Sequence, residues 1–139
     1  MAKLFSFEVH TPYRPFFSGP VESLVLPLVD GEIGVYAGHS AFTAASVTGV
    51  LRIKDKDGRW RPAFVTEGII EVKEHKTVLM VDAAEWPEEI DRERAETAKR
   101  EAGESLDMGM FRFEIDNARA KLKRAECRLK VAEMKGEGG

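Results

Sequence analysis

The first part of the chain alternates apolar and polar residues with a period of two. Every second residue from Phe5 to Val9 is apolar, which is the pattern of a strand with one buried face. Two turn signals lie between later apolar runs, at Asp30-Gly31 and within Asp55-Lys56-Asp57-Gly58, and each predicts a β-hairpin. Pro62 follows the second turn and should lie at a strand edge or bulge, because proline has no N–H to donate to a neighbouring strand.

Short strands at this spacing continue to residue 86, and about eight to ten of them are expected. Repeated short strands indicate a β-sandwich or flattened barrel rather than a sheet with crossover helices. We therefore expect a mainly β plus α fold. Residues 1–86 would form the β-sandwich, and residues 87–139 would form a C-terminal antiparallel two-helix hairpin.

The hydrophobic period changes at Trp86-Pro87. Acidic residues follow at once, as they do at helix starts, so the first helix is expected to begin near Glu88. Its apolar stripe consists of alanines, Ala95, Ala98 and Ala102. The segment 103–109 is expected to connect the helices. Four apolar side chains in or beside it are expected to pack against the sandwich: Leu106, Met108, Met110 and Phe111.

The second helix carries a narrow apolar stripe within a basic surface. The stripe repeats at spacings of three and four residues and contains Ile115, Ala118, Leu122, Ala125, Leu129 and Ala132. Because half of it is alanine, it buries little apolar area, and we expect a helix that docks reversibly. An ordinary amphipathic helix with a solvated charged face is the simpler interpretation.

Composition excludes several functional classes. The chain has 43% hydrophobic residues, one cysteine and a net charge of −3, which is typical of a globular protein and disfavours a nucleic-acid binder. No apolar run is long enough for direct membrane insertion, and Met1 leads into a strand pattern without a secretory signal. The isolated Cys127 indicates a reducing compartment. The acidic first half and basic second half of the tail should attract as antiparallel arms, and residues 136–139 should be disordered.

Recognisable catalytic motifs are absent from the sequence. There is no glycine-rich Walker loop, and His10, His39 and His75 lie on separate elements without a convincing catalytic or metal-binding partner. We expect a protein that is not an enzyme and that has no metal site and no required cofactor. Asp91 and Arg94 are three residues apart at a helix start, where they could hold a hydroxylated ring and an anion or simply form an ion pair that steadies the first turn.

Several short motifs occur in a fixed order along the chain. In the sandwich they are FSGPVE at residues 17–22, DGEIGV at 30–35 and GIIEV at 68–72, with Gly38-His39 and Leu51-Arg52-Ile53 between them. In the tail they are IDRERA at 90–95 and segments at 123–125, 128–129 and 131–133. By these motifs the whole chain resembles the epsilon subunit of bacterial F-type ATP synthase.

This resemblance implies a non-catalytic central-stalk subunit that couples ion translocation to ATP synthesis. The sandwich would contact the gamma subunit and the membrane rotor ring, the latter through the loop containing Glu32 and His39. In an extended state, the hairpin would present basic side chains to acidic segments of the catalytic beta subunits and inhibit hydrolysis. These side chains are Arg119, Lys121, Lys123, Arg124, Arg128 and Lys130.

The resemblance also implies ATP as a regulatory ligand that favours the folded-back hairpin. Adenine and ribose would be contacted by Glu85, Ile90, Asp91 and Arg94, and the phosphates by Arg124 and Arg128. Two departures weaken these expectations. Glu101 stands where ATP-binding relatives carry a further arginine, and the loop around His39 lacks the usual flanking prolines.

Two other classes remain open at this point. A stand-alone nucleotide-sensing or adaptor module could have the same architecture, and a small hydrolase is disfavoured by the missing nucleophile and base. The family interpretation places the chain at the cytoplasmic face of a bacterial cell membrane, as a peripheral protein.

Overall fold

A computed structural model describes residues 3–108 and 111–134. Within them the chain forms nine strands, a short 3₁₀ turn and two helices. The strands are β1 Phe5–His10, β2 Pro15–Leu28, β3 Gly31–Tyr36, β4 Phe42–Ser46, β5 Gly49–Asp55, β6 Trp60–Val65, β7 Gly68–Val72, β8 Lys76–Val81 and β9 Ala84–Glu85. The 3₁₀ turn is Pro87–Glu89, and the helices are α1 Arg92–Met108 and α2 Arg112–Ala132. The predicted fold class is confirmed.

The sheet closes on itself through the long strand β2. The strands follow the order β1, β8, β7, β4, β2, β5, β6 and β9, with β3 also paired to β2. The first half of β2 pairs with β1, and its last residue, Leu28, pairs with Ser46 of β4. A strand of 14 residues therefore belongs to both layers, as expected of a sandwich or flattened barrel.

Both predicted hairpins form. β2 pairs with β3 across Asp30-Gly31, and β5 pairs with β6 across Asp55-Lys56-Asp57-Gly58. Gly31 and Gly58 adopt φ values of 127° and 79°, a region that glycine occupies without steric cost. Pro62 lies at a strand edge as predicted: it pairs with β5 on one side, and on the other side β9, within the described residues, pairs only with Phe64 and Val65.

The core of the sandwich is formed by the inward-facing residues of these strands. Phe5, Phe7 and Val9 are buried while the residues between them are not, which confirms the predicted alternation. The largest fully shielded side chains of this core are Phe7, Leu24, Leu26, Leu51, Ile53, Ile70 and Leu79.

The helical region begins and ends differently from the prediction. α1 starts at Arg92 rather than near Glu88, because Pro87–Glu89 closes a separate turn and Ile90 is extended, with φ −77° and ψ 126°. α1 also continues through Gly103 to Met108, so the predicted connector was placed too early. Ala102 beside Gly103 is only 3% exposed, and helix packing of this kind offsets the cost of about 1 kcal/mol for a helical glycine.

The apolar residues expected to cover the sandwich are carried away from it. A helix of 17 residues is about 25 Å long, and Met108 and Phe111 at its far end are 75% and 64% exposed. Met110 lies outside the described residues, as do residues 136–139, which were predicted to be disordered. Within the described ranges no ion pair joins α1 to α2, and two arginines of α2, Arg124 and Arg128, pair with carboxylates of the sandwich.

Candidate functional site

The helices meet through small side chains. Ala95 and Ala102 of α1 and Ala118 and Ala125 of α2 are buried, each less than 5% exposed, which confirms the predicted alanine stripes at these four positions. Ala98 and Ala132, the other two alanines of the stripes, are half-buried. Because alanine allows close approach but supplies little volume, a groove remains open beside the contact line.

This groove between the helices has a volume of about 710 Å³, within the usual range for small-molecule sites. The wall on α1 is mostly small or apolar, with Ala98, Ala102, Ser105 and Met108 beside Glu101. The wall on α2 carries three cations, Lys121, Arg124 and Arg128, together with Glu114, Asn117 and Ala118. The groove therefore combines a largely small-residue wall on α1 with three cations on α2.

Arg128 joins this groove to the sandwich. Its Nε donates to Oε1 of Glu85 in β9 at 2.9 Å, and its guanidinium lies over the Phe64 ring, 4.5 Å from the ring centre. Arg124 lies one turn earlier, and its Nη2 is 4.0 Å from Oε1 of Glu67. Both residues that the family resemblance places at the phosphates are thus paired with sandwich carboxylates in this state.

The base of the hairpin is fixed by a small apolar cluster. Val131 of α2 is completely buried among Val50, Phe64 and Ile90, with Cys127 packed beside them. Burial raises the pKa of the Cys127 thiol. Nearby, Arg92 donates to the carbonyl oxygen of Ala132 at 2.6 Å, which connects the start of α1 to the end of α2.

Asp91 has a structural role at the start of α1. Its Oδ1 accepts a hydrogen bond from the backbone N–H of Arg94 at 3.0 Å, which is the geometry of a helix N-cap. The side-chain ion pair considered from the sequence is not among the ion pairs of the described residues, and the Arg94 side chain is exposed.

The turn before α1 is attached firmly to the sandwich. Trp86 stacks on Phe16 with ring centres 4.4 Å apart. The Arg61 guanidinium lies over the Trp86 ring, 4.0 Å from the ring centre. Glu89 Oε1 accepts from Arg14 Nη2 and from the Trp86 N–H, both at 2.9 Å. The Arg14 guanidinium holds the pKa of Glu89 below its ordinary value.

The six residues assigned to ATP do not all line one cavity. Arg124 and Arg128 line the groove, Glu85 contacts Arg128, and Ile90 belongs to the cluster around Val131. Asp91 and Arg94 lie at the start of α1. Sequence reasoning missed Phe64 and Asn117, and it included Val131 in a family motif without predicting its burial against the sandwich. The spacing of Arg124, Cys127 and Val131 by three and four residues was a detectable signal for the face of α2 that meets the sandwich.

The two residues assigned to the rotor ring are separated. Glu32 lies inside β3 rather than in a loop and pairs with Arg52, Oε2 to Nη1, at 3.3 Å. His39 follows the other end of β3, where its ring lies against Phe42 with centres 5.2 Å apart. From Glu32 to Tyr36 the strand extends about 13 Å, so a partner would have to span this distance to touch both residues.

Four of the six basic side chains predicted on α2 are exposed: Arg119, Lys121, Lys123 and Lys130. Arg124 and Arg128 are partly buried and are paired with Glu67 and Glu85 of the sandwich.

None of the helices in the described residues is long and apolar enough to span a bilayer. Within the same residues no cluster of metal-ligating side chains was found.

Comparison with known proteins identifies two consecutive family regions. Residues 4–87 match the ATP synthase delta/epsilon chain β-sandwich domain, and residues 88–133 match the delta/epsilon chain long α-helix domain. The ATP synthase epsilon chain of Caldicellulosiruptor bescii is 47% identical over 133 residues, 96% of each chain. That of Ruminococcus albus is 37% identical over 133 residues, 95% of this chain and 98% of its own.

Solved structures share the fold. A chain of the Euglena gracilis mitochondrial ATP synthase, from a structure of OSCP, F1 and the c-ring, aligns with a TM-score of 0.81 at 20% identity, covering 94% of this chain and 82% of its own. A chain from the Tetrahymena thermophila central stalk and c-ring aligns with a TM-score of 0.59 at 14% identity, covering 94% and 98%.

Proposed function

The chain belongs to the ATP synthase delta/epsilon family, and we propose that it acts in the central stalk of an F-type enzyme, with a hairpin that is closed by ATP and inhibits hydrolysis when extended. As an epsilon-family subunit it is non-catalytic. This membership sets aside the stand-alone sensor or adaptor module.

The proposed contact with the gamma subunit is supported by an exposed apolar pair on the sandwich. Ile69 of β7 and Met80 of β8 are direct cross-strand partners and are 49% and 50% exposed. Paired side chains on adjacent strands point to the same face. An outward apolar pair of this kind suits a protein interface.

Copurification tests this contact. We expect stoichiometric gamma subunit with the wild-type chain under mild extraction and much less with Ile69→Asp or Met80→Asp. Val29→Asp is the matched control, because Val29 is also exposed, at 76%, but lies in the turn between β2 and β3. Absence of gamma from the wild-type complex would refute the central-stalk assignment.

Glu32 and His39 remain the proposed contact with the membrane rotor ring. This position would place the chain peripherally at the cytoplasmic face of a bacterial cell membrane. Crosslinking from a cysteine introduced at residue 32 or 39 to the ring would test the contact, and a product found with gamma alone would contradict it.

ATP binding is supported by the groove between the helices. Its volume of about 710 Å³ accommodates a nucleotide, and the three cations that line its α2 wall suit phosphates. A ligand that binds only the closed hairpin stabilises it by about 2.7 kcal/mol at a hundredfold excess over Kd, enough to latch a weakly held element.

Calorimetric titration of ATP into the full chain tests the latch. We expect saturable binding that is lost in Arg124→Ala, because Arg124 lines the groove, and kept in Lys123→Ala, which removes one exposed positive charge from the same helix. Arg94→Ala and Asp91→Ala test the motif at the start of α1, since the family resemblance predicts weaker binding in both. No binding at millimolar ATP would leave a coupling subunit without a nucleotide latch.

Inhibition is supported by the arrangement of charge on α2. Four cations are already exposed in the closed state, and undocking would release Arg124 and Arg128 from Glu67 and Glu85. The extended helix would then present all six to the acidic segments of the beta subunits. Replacing Arg119, Lys121, Lys123 and Lys130 with glutamine should raise ATP hydrolysis by the assembled enzyme, and unchanged hydrolysis would refute the inhibitory role.

A further inference from the structure

We propose that Glu85 and Phe64 act together as a seat for Arg128, and that this seat orients the arginine for phosphate when the hairpin is closed. The inference rests on the proposed nucleotide groove and changes the role of Glu85. The family resemblance places Glu85 against adenine or ribose, whereas here it acts through Arg128.

The seat engages two different features of the guanidinium group. Glu85 Oε1 accepts from Nε at 2.9 Å, and the Phe64 ring covers one face at 4.5 Å. A guanidinium has five N–H donors in a fixed plane. With Nε engaged and one face covered, the two Nη groups are the donors left for the groove that Arg128 lines.

The supporting residues belong to the rigid part of the molecule. Phe64 is completely buried, and both Phe64 and Glu85 lie in the pairing of β6 with β9. Arg128 lies one turn before the buried Val131 on α2. The guanidinium is therefore oriented only while the base of α2 is docked, which gives a structural reason for a ligand to prefer the closed hairpin.

The effect of Glu85→Gln on ATP affinity distinguishes the seat from a simple neighbouring charge. A carboxylate that only repels phosphate, or that competes with it for Arg128, lowers affinity, so its neutralisation should tighten binding. A carboxylate that orients Arg128 should weaken binding when neutralised. We expect Glu85→Gln to bind ATP about tenfold more weakly by calorimetry. Glu126→Gln, an equal charge change at an exposed position two residues from Arg128, should bind like the wild type.

A double-mutant cycle tests whether Glu85 acts through Arg128. On an Arg128→Lys background, which removes Nε and the planar group, Glu85→Gln should have no further effect on ATP affinity. Additive losses would instead mean that Glu85 contacts the nucleotide itself, and would overturn the inference.

The Nε–H signal of Arg128 tests the seat without nucleotide. In the ¹⁵N-arginine spectrum of the full chain, this signal is identified by its loss in Arg128→Lys. It should exchange with solvent at least tenfold faster in Glu85→Gln than in the wild type or in Glu126→Gln. Phe64→Leu should also increase the rate, with thermal unfolding used to confirm that the sandwich remains folded.

ATP titration and the Arg128 Nε–H signal together distinguish a failure of the nucleotide groove from a failure of the seat. A wild-type chain with a protected Arg128 signal but no ATP binding would refute the nucleotide groove and leave the seat as a docking contact alone. ATP binding that is equal or tighter in Glu85→Gln, or an Arg128 signal that does not respond to that change, would overturn the seat while leaving the groove intact.

Discussion

In the sandwich, side chains as large as Phe7, Leu24 and Leu51 are fully shielded, whereas the two helices meet mainly through alanines. Burying a leucine or phenylalanine contributes about 1.5–3 kcal/mol, and an alanine contributes much less. Val131 is the large side chain that α2 buries completely against the sandwich. This difference indicates that the sandwich is a rigid platform and that the helical hairpin is an attached element that can separate from it.

The largest effect should come from a change that damages the platform. A methyl group at Gly68 would collide with the backbone carbonyl of Met80, which cannot move without disturbing the pairing of β7 with β8. We expect Gly68→Ala to lower the free energy of unfolding by about 2–4 kcal/mol, measured by chemical denaturation.

The matched control is Gly103→Ala in α1, where an added methyl group meets nothing within 4 Å. This helical position should gain about 0.5–1 kcal/mol from the same substitution. If Gly68→Ala and Gly103→Ala changed the free energy of unfolding alike, backbone crowding would not be the reason that position 68 requires glycine.

A smaller and more local effect should follow from removing the anchor of the hairpin. Val131→Ala leaves a gap against Phe64, and we expect it to cost about 1–3 kcal/mol. The loss should appear as faster hydrogen exchange in α2 with little change in the strands. Val29→Ala, the same substitution at a residue 76% exposed, should change neither the stability nor the hydrogen exchange of α2. Equal loss of protection in the strands would show that the hairpin and sandwich unfold as one unit.

The smallest predicted effect concerns the attachment of the Trp86 turn to the platform. Arg14 lowers the pKa of Glu89 in the folded chain. The stabilisation is therefore fully present above the ordinary pKa of an unfolded glutamate and is lost as pH falls through the lower folded pKa. Between pH 7 and pH 3, the wild type should lose about 0.5–1 kcal/mol more than Glu89→Gln.

This pH dependence is measured by denaturation at each pH. Glu88→Gln is the control, since Glu88 is an exposed neighbour and its neutralisation should leave the wild-type pH profile unchanged. Parallel profiles for wild type and Glu89→Gln would contradict a role for the Arg14 pair in holding the turn.

Local patterns were sufficient to predict most of the sandwich. The alternation from Phe5 to Val9 and the glycines of two tight turns are decided by neighbouring residues, so strands and hairpins could be inferred from sequence. The alanine stripes could also be predicted from the sequence, because a 3.6-residue period shows which residues share a helix face.

The ends of α1 and the base of the hairpin depended on contacts that are distant in sequence. Glu89 is held by Arg14, 75 residues away, which fixes the turn before α1 and shifts the helix start to Arg92. Arg128 is held by Glu85, 43 residues away, and Val131 packs on Phe64. No local pattern contains these pairings, although the family resemblance directed attention to Glu85 and Arg128.

The central claim is that the hairpin opens while the sandwich stays folded, and that ATP opposes this opening. Hydrogen exchange of the full chain, with and without saturating ATP, tests it most directly. The account predicts strand amides that exchange slowly in both conditions and α2 amides that exchange faster without ATP and slow markedly with it. If α2 exchanged as slowly as the strands and did not respond to ATP, the hairpin would be a fixed part of the fold and the claim would be wrong.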